Sequence, residues 1–370
     1  MAAIRSITWA TLLMSGLGVL SGCMVERPAA PVPAVSPDAS RTLIGRLLPP
    51  TLRDREGWAA DIYDGLALQG IDASQQNVCA VLAVVAQESG FQVNPVIPEL
   101  GKIAWKEIDA RAAHAGIPPL LVHGALQVAS RTGRSYADRI DAARTEKDLS
   151  DIYEDFIAAV PLGNSLFEER NPIRTRGPMQ VSVAFAEQYQ DTRPYPFPVR
   201  AGIADELFTR RGSLYFGIAH LLAYSASYPT YLYRFADYNA GQYSSRNAAF
   251  QAAVGVVAGV AVARDGALIP RNGSAAGPGG TESALLAAAV RLDVRESEIH
   301  GALEQERTRG FEDTRLYRTV FARAEQVKGA PLPRALLPRI DLHGPKISRR
   351  LTTAWYAERV NQRFEACERR

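Results

Sequence analysis

Three short strings in this chain hold residues able to do chemistry on a polar ligand: Glu88-Ser89-Gly90-Phe91, Gly177-Pro178-Met179-Gln180 and Tyr238-Asn239-Ala240-Gly241. The first carries the acid. Val78, Val81, Leu82 and Val85 recur at helical spacing, and the residues between them are apolar too, which marks a helix buried on all sides. Gly90 readily turns left-handed at a helix end, so Glu88 falls in or just after the last turn. A carboxylate there meets the negative end of the helix dipole, and partial burial disfavours its charge again. Both effects raise its pKa. A carboxylic acid that keeps its proton near neutral pH can protonate a poor leaving group such as a glycosidic oxygen. The plainer reading is a helix-end glutamate facing water.

The other two strings read as structure first. Pro178 suits the first turn of a helix that Val181 and Phe185 would continue, while Gly177 permits close approach of a ligand to the backbone. Met179 would ordinarily fill a core. The third string closes a helical segment able to begin at Pro229, with Gly241 as its stop. Tyr238 and Asn239 there offer a phenol and an amide, each able to bond a buried carboxyl or an N-acetyl group.

Taken in this order, the strings resemble the signature of lytic transglycosylases and goose-type lysozymes. That resemblance implies a mainly α, lysozyme-like fold with Glu88 catalytic and with Ser89, Gly177, Met179, Gln180, Tyr238 and Asn239 at the sugar-binding cleft. Pro178 departs from it, standing where leucine is usual. In such enzymes the glutamate protonates the bond between N-acetylmuramic acid and N-acetylglucosamine. It then acts as base while the muramic acid 6-hydroxyl attacks, leaving a 1,6-anhydro end. No second catalytic carboxylate is needed, unlike the pair used by most glycosidases. Asp237 receives no role, because one residue along a helix points it away from Tyr238. No cofactor is implied.

A second departure is length. Glu88 and Gly177 are joined by a much longer connection than typical members have, and Ile103–Leu121 and Leu149–Val160 within it read as extra helices. An insertion at about 100–170 would wall the cleft or block it. Further segments, Lys102–Asp109, Arg234–Gly241 and Leu351–Tyr356, are similar to the YaiW-like lipoproteins, and that resemblance covers nearly the whole mature chain. It implies an outer-membrane lipoprotein of Gram-negative bacteria with a transglycosylase-like core.

The N-terminus agrees with export. Arg5 precedes an apolar run from Ile7 to Leu20 that ends in Leu20-Ser21-Gly22-Cys23. The run is short of the ~20 residues a membrane span needs and looks like a lipoprotein signal peptide over residues 1–22. Cys23 would then carry the lipid, and Met24, rather than aspartate, resembles the sorting signal for the outer membrane. Residues 23–40 are rich in proline and alanine, the composition of a tether. A single compound domain would follow over 41–370. Arg271–Gly280 would be a loop inside it, leading into a C-terminal helical extension at about 281–370.

With Cys23 lipidated, Cys79 and Cys367 remain in an oxidising compartment, where two cysteines pair readily. The alternative leaves Cys79 as a small apolar residue and Cys367 in a frayed tail. A net charge of +3, with basic residues clustered only in pairs such as Arg210-Arg211 that read as a solvated helix face, excludes a polybasic nucleic-acid surface. The five histidines, His114, His123, His220, His300 and His343, lack metal-ligand spacing, so no metal site is expected. Two function classes follow. One is a lipid-anchored enzyme, periplasmic or surface-exposed, that cleaves peptidoglycan glycan strands. The other is a non-catalytic envelope lipoprotein that binds glycan, peptide or an envelope protein partner.

Overall fold

Helices dominate the protein, as its apolar spacing predicts. A computed structural model describes residues 36–159, 171–228, 230–269, 280–342 and 350–370. The signal segment, Cys23, the tether up to residue 35, Val160, Pro229, His343 and residues 271–279 of the glycine-rich loop lie outside these. The first described helix, α1 (Pro37–Leu47), starts ahead of the expected boundary at residue 41. Ser36 accepts the amide of Ala39 and Pro37 occupies the first turn, so the last proline of the tether starts a helix instead.

The first core forms around α3 (Gln75–Glu88), in which every residue from Val78 to Val85 is buried. Around it lie α1, α2 (Arg55–Leu68) and three later helices, Arg210–Leu222, Tyr231–Ala240 and Thr353–Glu368. The last of these packs on both α3 and Tyr231–Ala240. Cys79 and Cys367 form a disulfide between α3 and that final helix, closing a sequence separation of 288 residues.

The intervening segment contributes α4 (Leu100–His114), α5 (Pro119–Ala125), α6 (Tyr136–Ala142) and α7 (Glu146–Ala159). These bury a small core of their own around Leu126, Tyr136, Ile140 and Ile152. After it come β1 (Thr175–Arg176) and β2 (Val181–Ser182), paired antiparallel with Arg176 opposite Val181. Next are α8 (Val183–Thr192), α9 (Ile203–Glu206), α10 (Arg210–Leu222) and α11 (Tyr231–Ala240).

A second large core joins α12 (Ser244–Ala258), α13 (Thr281–Leu292), α14 (Glu296–Leu303) and α15 (Arg315–Lys328) around Phe250, Phe311 and Phe321. A second hairpin, β3 (Asp341–Leu342) with β4 (Leu351–Thr352), leads to α16 (Thr353–Glu368). The segment from 281 onward divides between two cores. Its first helices complete the second core, and α16 returns to α3.

Two local expectations are corrected. No helix begins at Pro178: Gly177 and Gln180 both adopt left-handed backbone, φ 74° and 51°, and turn β1 into β2. The helix waits until Val183, where the Ser182 hydroxyl accepts the amide of Phe185. The Arg210-Arg211 pair is not a solvated face either, since both side chains pair with buried Asp61 of α2.

Asp237 is a structural group. It is fully buried and accepts the hydroxyls of Tyr224 and Tyr228 (3.0 and 2.7 Å) and the amides of Tyr243 and Ser245 (3.0 and 2.6 Å). It thereby ties α11 to the start of α12. Burial pushes its carboxyl up to about 6, against the opposing pull of these donors. Asp237→Ala would leave four buried donors without a partner, which predicts a loss of about 3 kcal/mol or more in urea unfolding.

Candidate functional site

Glu88 ends α3 because the chain turns immediately after it. Ser89 caps the helix, and Gly90 and Phe91 both take left-handed backbone, φ 58° and 67°. The glutamate thus emerges from an apolar helix into the wall of a cleft of about 680 Å³. Burial raises its carboxyl to about 7, and the charge of Glu146 adds to the rise. A hydrogen bond from Tyr356 opposes it: the Tyr356 hydroxyl, on α16, donates to Glu88 Oε1 at 2.5 Å. Near neutral pH a large fraction of Glu88 is therefore the neutral acid.

The structure brings the three strings together around this group, with divided roles. Gln180, Tyr238 and Asn239 line the cleft with Glu88. The Tyr238 hydroxyl donates not to Glu88 but to the carbonyl of Met179, at 2.7 Å. Gln180 is held on both sides of its amide, accepting from Thr175 Oγ1 (2.9 Å) and donating to Glu146 Oε2 (3.1 Å). Asn239 Oδ1 accepts from Thr353 Oγ1 at 2.8 Å.

Gly177, Met179 and Ser89 sit behind this surface. Met179 is fully buried, and its sulfur fills the space left by Gly217 of α10. The Ser89 hydroxyl turns back to the carbonyl of Val85. Gly177 lies against Leu207 and Ser213, so that an added Cβ would fall 2.0 Å from the Leu207 carbonyl oxygen. With φ at 74° there as well, Gly177→Ala is expected to cost about 3 kcal/mol or more in thermal or urea unfolding and to distort the hairpin that carries Gln180.

Sequence reasoning missed three contributors. Tyr356 is the hydrogen-bond partner of the acid. Glu146, the first residue of α7, reaches the site through Gln180. His220 lines the cleft between the rings of Phe185 and Tyr238, at 4.4 and 5.0 Å, and its Nε2 donates to the Tyr238 carbonyl. That bond leaves the lone pair on Nδ1, and burial lowers the imidazole to about 4, so His220 is neutral. Only a hint for Tyr356 was present, the Leu351–Tyr356 string. No described residue of the segment 100–159 is among those lining the cleft, and Glu146 reaches it only from behind Gln180. Among the described residues no three His, Cys, Asp or Glu side chains converge to hold a metal ion.

The arrangement supplies one protonated carboxyl in a polar cleft with amide, hydroxyl and aromatic groups around it. Such a site can donate a proton to a bound oxygen and take one back. Comparison with known proteins adds kinship without an activity. A family model described as "Protein of unknown function (DUF1615)" matches residues 51–370. "Uncharacterized protein YaiW" of Escherichia coli (strain K12) is 47% identical over 349 residues, covering 94% of this chain and 95% of that protein. No solved structure matches. Matched by the family model over its folded body and by YaiW over most of its length, the chain belongs to the DUF1615 family.

Proposed function

We propose that this protein is an outer-membrane lipoprotein, anchored through lipid on Cys23, that cleaves peptidoglycan glycan strands to 1,6-anhydro products. The supporting observation is Glu88: a carboxyl raised to about 7, set in a cleft with Gln180, Tyr238 and Asn239 from the two companion strings. The helical core around α3 is read as lysozyme-like, with residues 100–170 as an insertion.

Oε1 of Glu88 accepts from Tyr356, which leaves Oε2 to carry the proton. That proton passes to the glycosidic oxygen as the bond to C1 breaks. The resulting carboxylate then removes the proton of the muramic acid 6-hydroxyl as its oxygen bonds to C1. Glu88 ends the cycle protonated, and no water is consumed. Tyr356 matters at the intermediate stage, because its hydroxyl favours the charged form that must exist between the two transfers. Asn239 has its amide nitrogen available to a sugar N-acetyl oxygen.

Digestion of purified sacculi, with products scored for anhydro-muropeptides, tests the activity. Metabolic labelling with palmitate of wild type and Cys23→Ala, with membrane fractionation, tests the anchor. Label lost with the cysteine supports it, and label retained would remove it.

A further inference from the structure

The cleft that holds Glu88 extends beyond the three strings, since Asn247, Glu306 and Arg307 line it as well. Asn247 lies on α12, and the other two lie in the turn after α14, so the second core supplies part of the wall. Building on the glycan reading above, we propose that Arg307 recognises an anionic group on the strand, the carboxylate of a lactyl ether or of its attached peptide. It thereby selects peptidoglycan over an uncharged amino-sugar polymer.

Charge favours this first. Arg307 is the one fully cationic side chain among the described lining residues, since His220 is neutral. Its neighbour Glu306 meets it at Nε alone. Glu306 Oε2 is occupied by the amides of Leu268 and Ile269, at 2.6 and 3.3 Å, and Oε1 lies 3.6 Å from Arg307 Nε as a single long pair. The Arg307 side chain remains 63% exposed.

Rigidity favours it next. Arg246 is fully buried, and its guanidinium donates to the carbonyls of both Glu306 and Thr308, the residues on either side of Arg307. Asn247 Nδ2 donates to the Glu306 carbonyl at 3.0 Å and to Gly266 at 3.1 Å. A backbone pinned on both flanks fixes the point from which the Arg307 side chain reaches into the cleft, so no loop ordering is needed when its guanidinium pairs with a carboxylate. The buried arginine serves the turn, and the exposed one faces the cleft.

The test uses Glu88→Gln as host, so that bound strands are not cut. Calorimetry would compare an uncharged N-acetylglucosamine tetramer with a peptidoglycan tetrasaccharide that bears its carboxylates. The inference expects the anionic strand to bind roughly tenfold tighter, by a charge-assisted pair that salt weakens. Adding Arg307→Gln should bring its affinity down to that of the uncharged strand, and Arg307→Lys should restore much of the difference. Discrimination that survives Arg307→Gln, or equal losses for both strands, would overturn the role of Arg307 and leave the glycan reading standing. If neither strand binds the host, the glycan reading fails and this inference fails with it.

Discussion

Glu88→Gln is expected to abolish strand cleavage and, at the same time, to make the protein more stable in alkaline solution. Loss of the acid removes the proton transfers on which both halves of the reaction depend, a fall of about 10²- to 10⁴-fold. Stability moves the other way because of where the group titrates. The folded carboxyl titrates near 7, against 4.5 for the ordinary side chain. Its contribution is fully present below the unfolded value and is lost as pH rises through the folded one. Glutamine imitates the neutral acid and does not titrate. The gap between variant and wild type should therefore be flat below about pH 4.5, grow between there and about 7, and level off above that at about 3 kcal/mol. Unfolding across this range would show it, and a gap independent of pH would mean that Glu88 titrates as an ordinary glutamate.

Breaking the Cys79–Cys367 bond is the second large effect. The bond joins the start of α3 to the end of α16, while Glu88 at the end of α3 meets Tyr356 near the start of α16. The two helices run antiparallel, and the bond and the hydrogen bond secure opposite ends of one contact. A sequence separation of 288 residues puts the entropic contribution near the top of the usual range, so Cys79→Ser with Cys367→Ser should cost up to about 5 kcal/mol. The double variant should also show weaker coupling between Tyr356 and Glu88. Since the Tyr356 bond lowers the carboxyl, its loosening should raise the pKa of Glu88 further and move the alkaline limb of the activity profile upward. A variant with unchanged melting temperature and profile would show that packing alone holds α16.

The parts of the site set by local chain chemistry were legible in the sequence. The unbroken apolar run Val78 to Val85 followed by Gly90 placed Glu88 at the end of a buried helix, and burial, one of the two effects expected there, raises its pKa. The pairing of Cys79 with Cys367 was one of two readings open to the sequence, and the disulfide is formed. What was not legible depends on long-range packing. Pro178 looked like a helix start, and nothing nearby signals that Gln180 goes left-handed, a conformation uncommon outside glycine. Tyr238 does stand close enough to Glu88 to feel its charge, but the carbonyl of Met179 claims its hydroxyl, a partner no neighbouring residue announces. Tyr356 could have been found through the cysteines, because Cys79 precedes Glu88 by about as many residues as Cys367 follows Tyr356. Antiparallel helices joined at one end then meet at the other. Arg307 enters the cleft from a separate core and had no local signature.

The most direct test of Glu88 as a glycan-cleaving acid is timed digestion of purified sacculi by the mature protein and by Glu88→Gln, across pH 5 to 9, with soluble products separated and weighed by mass spectrometry. The account predicts 1,6-anhydro-muropeptides from wild type, declining on the alkaline side as Glu88 loses its proton near 7, and none from the variant. Folded wild type that releases no anhydro products at any pH, or a variant that releases them as fast, would contradict it.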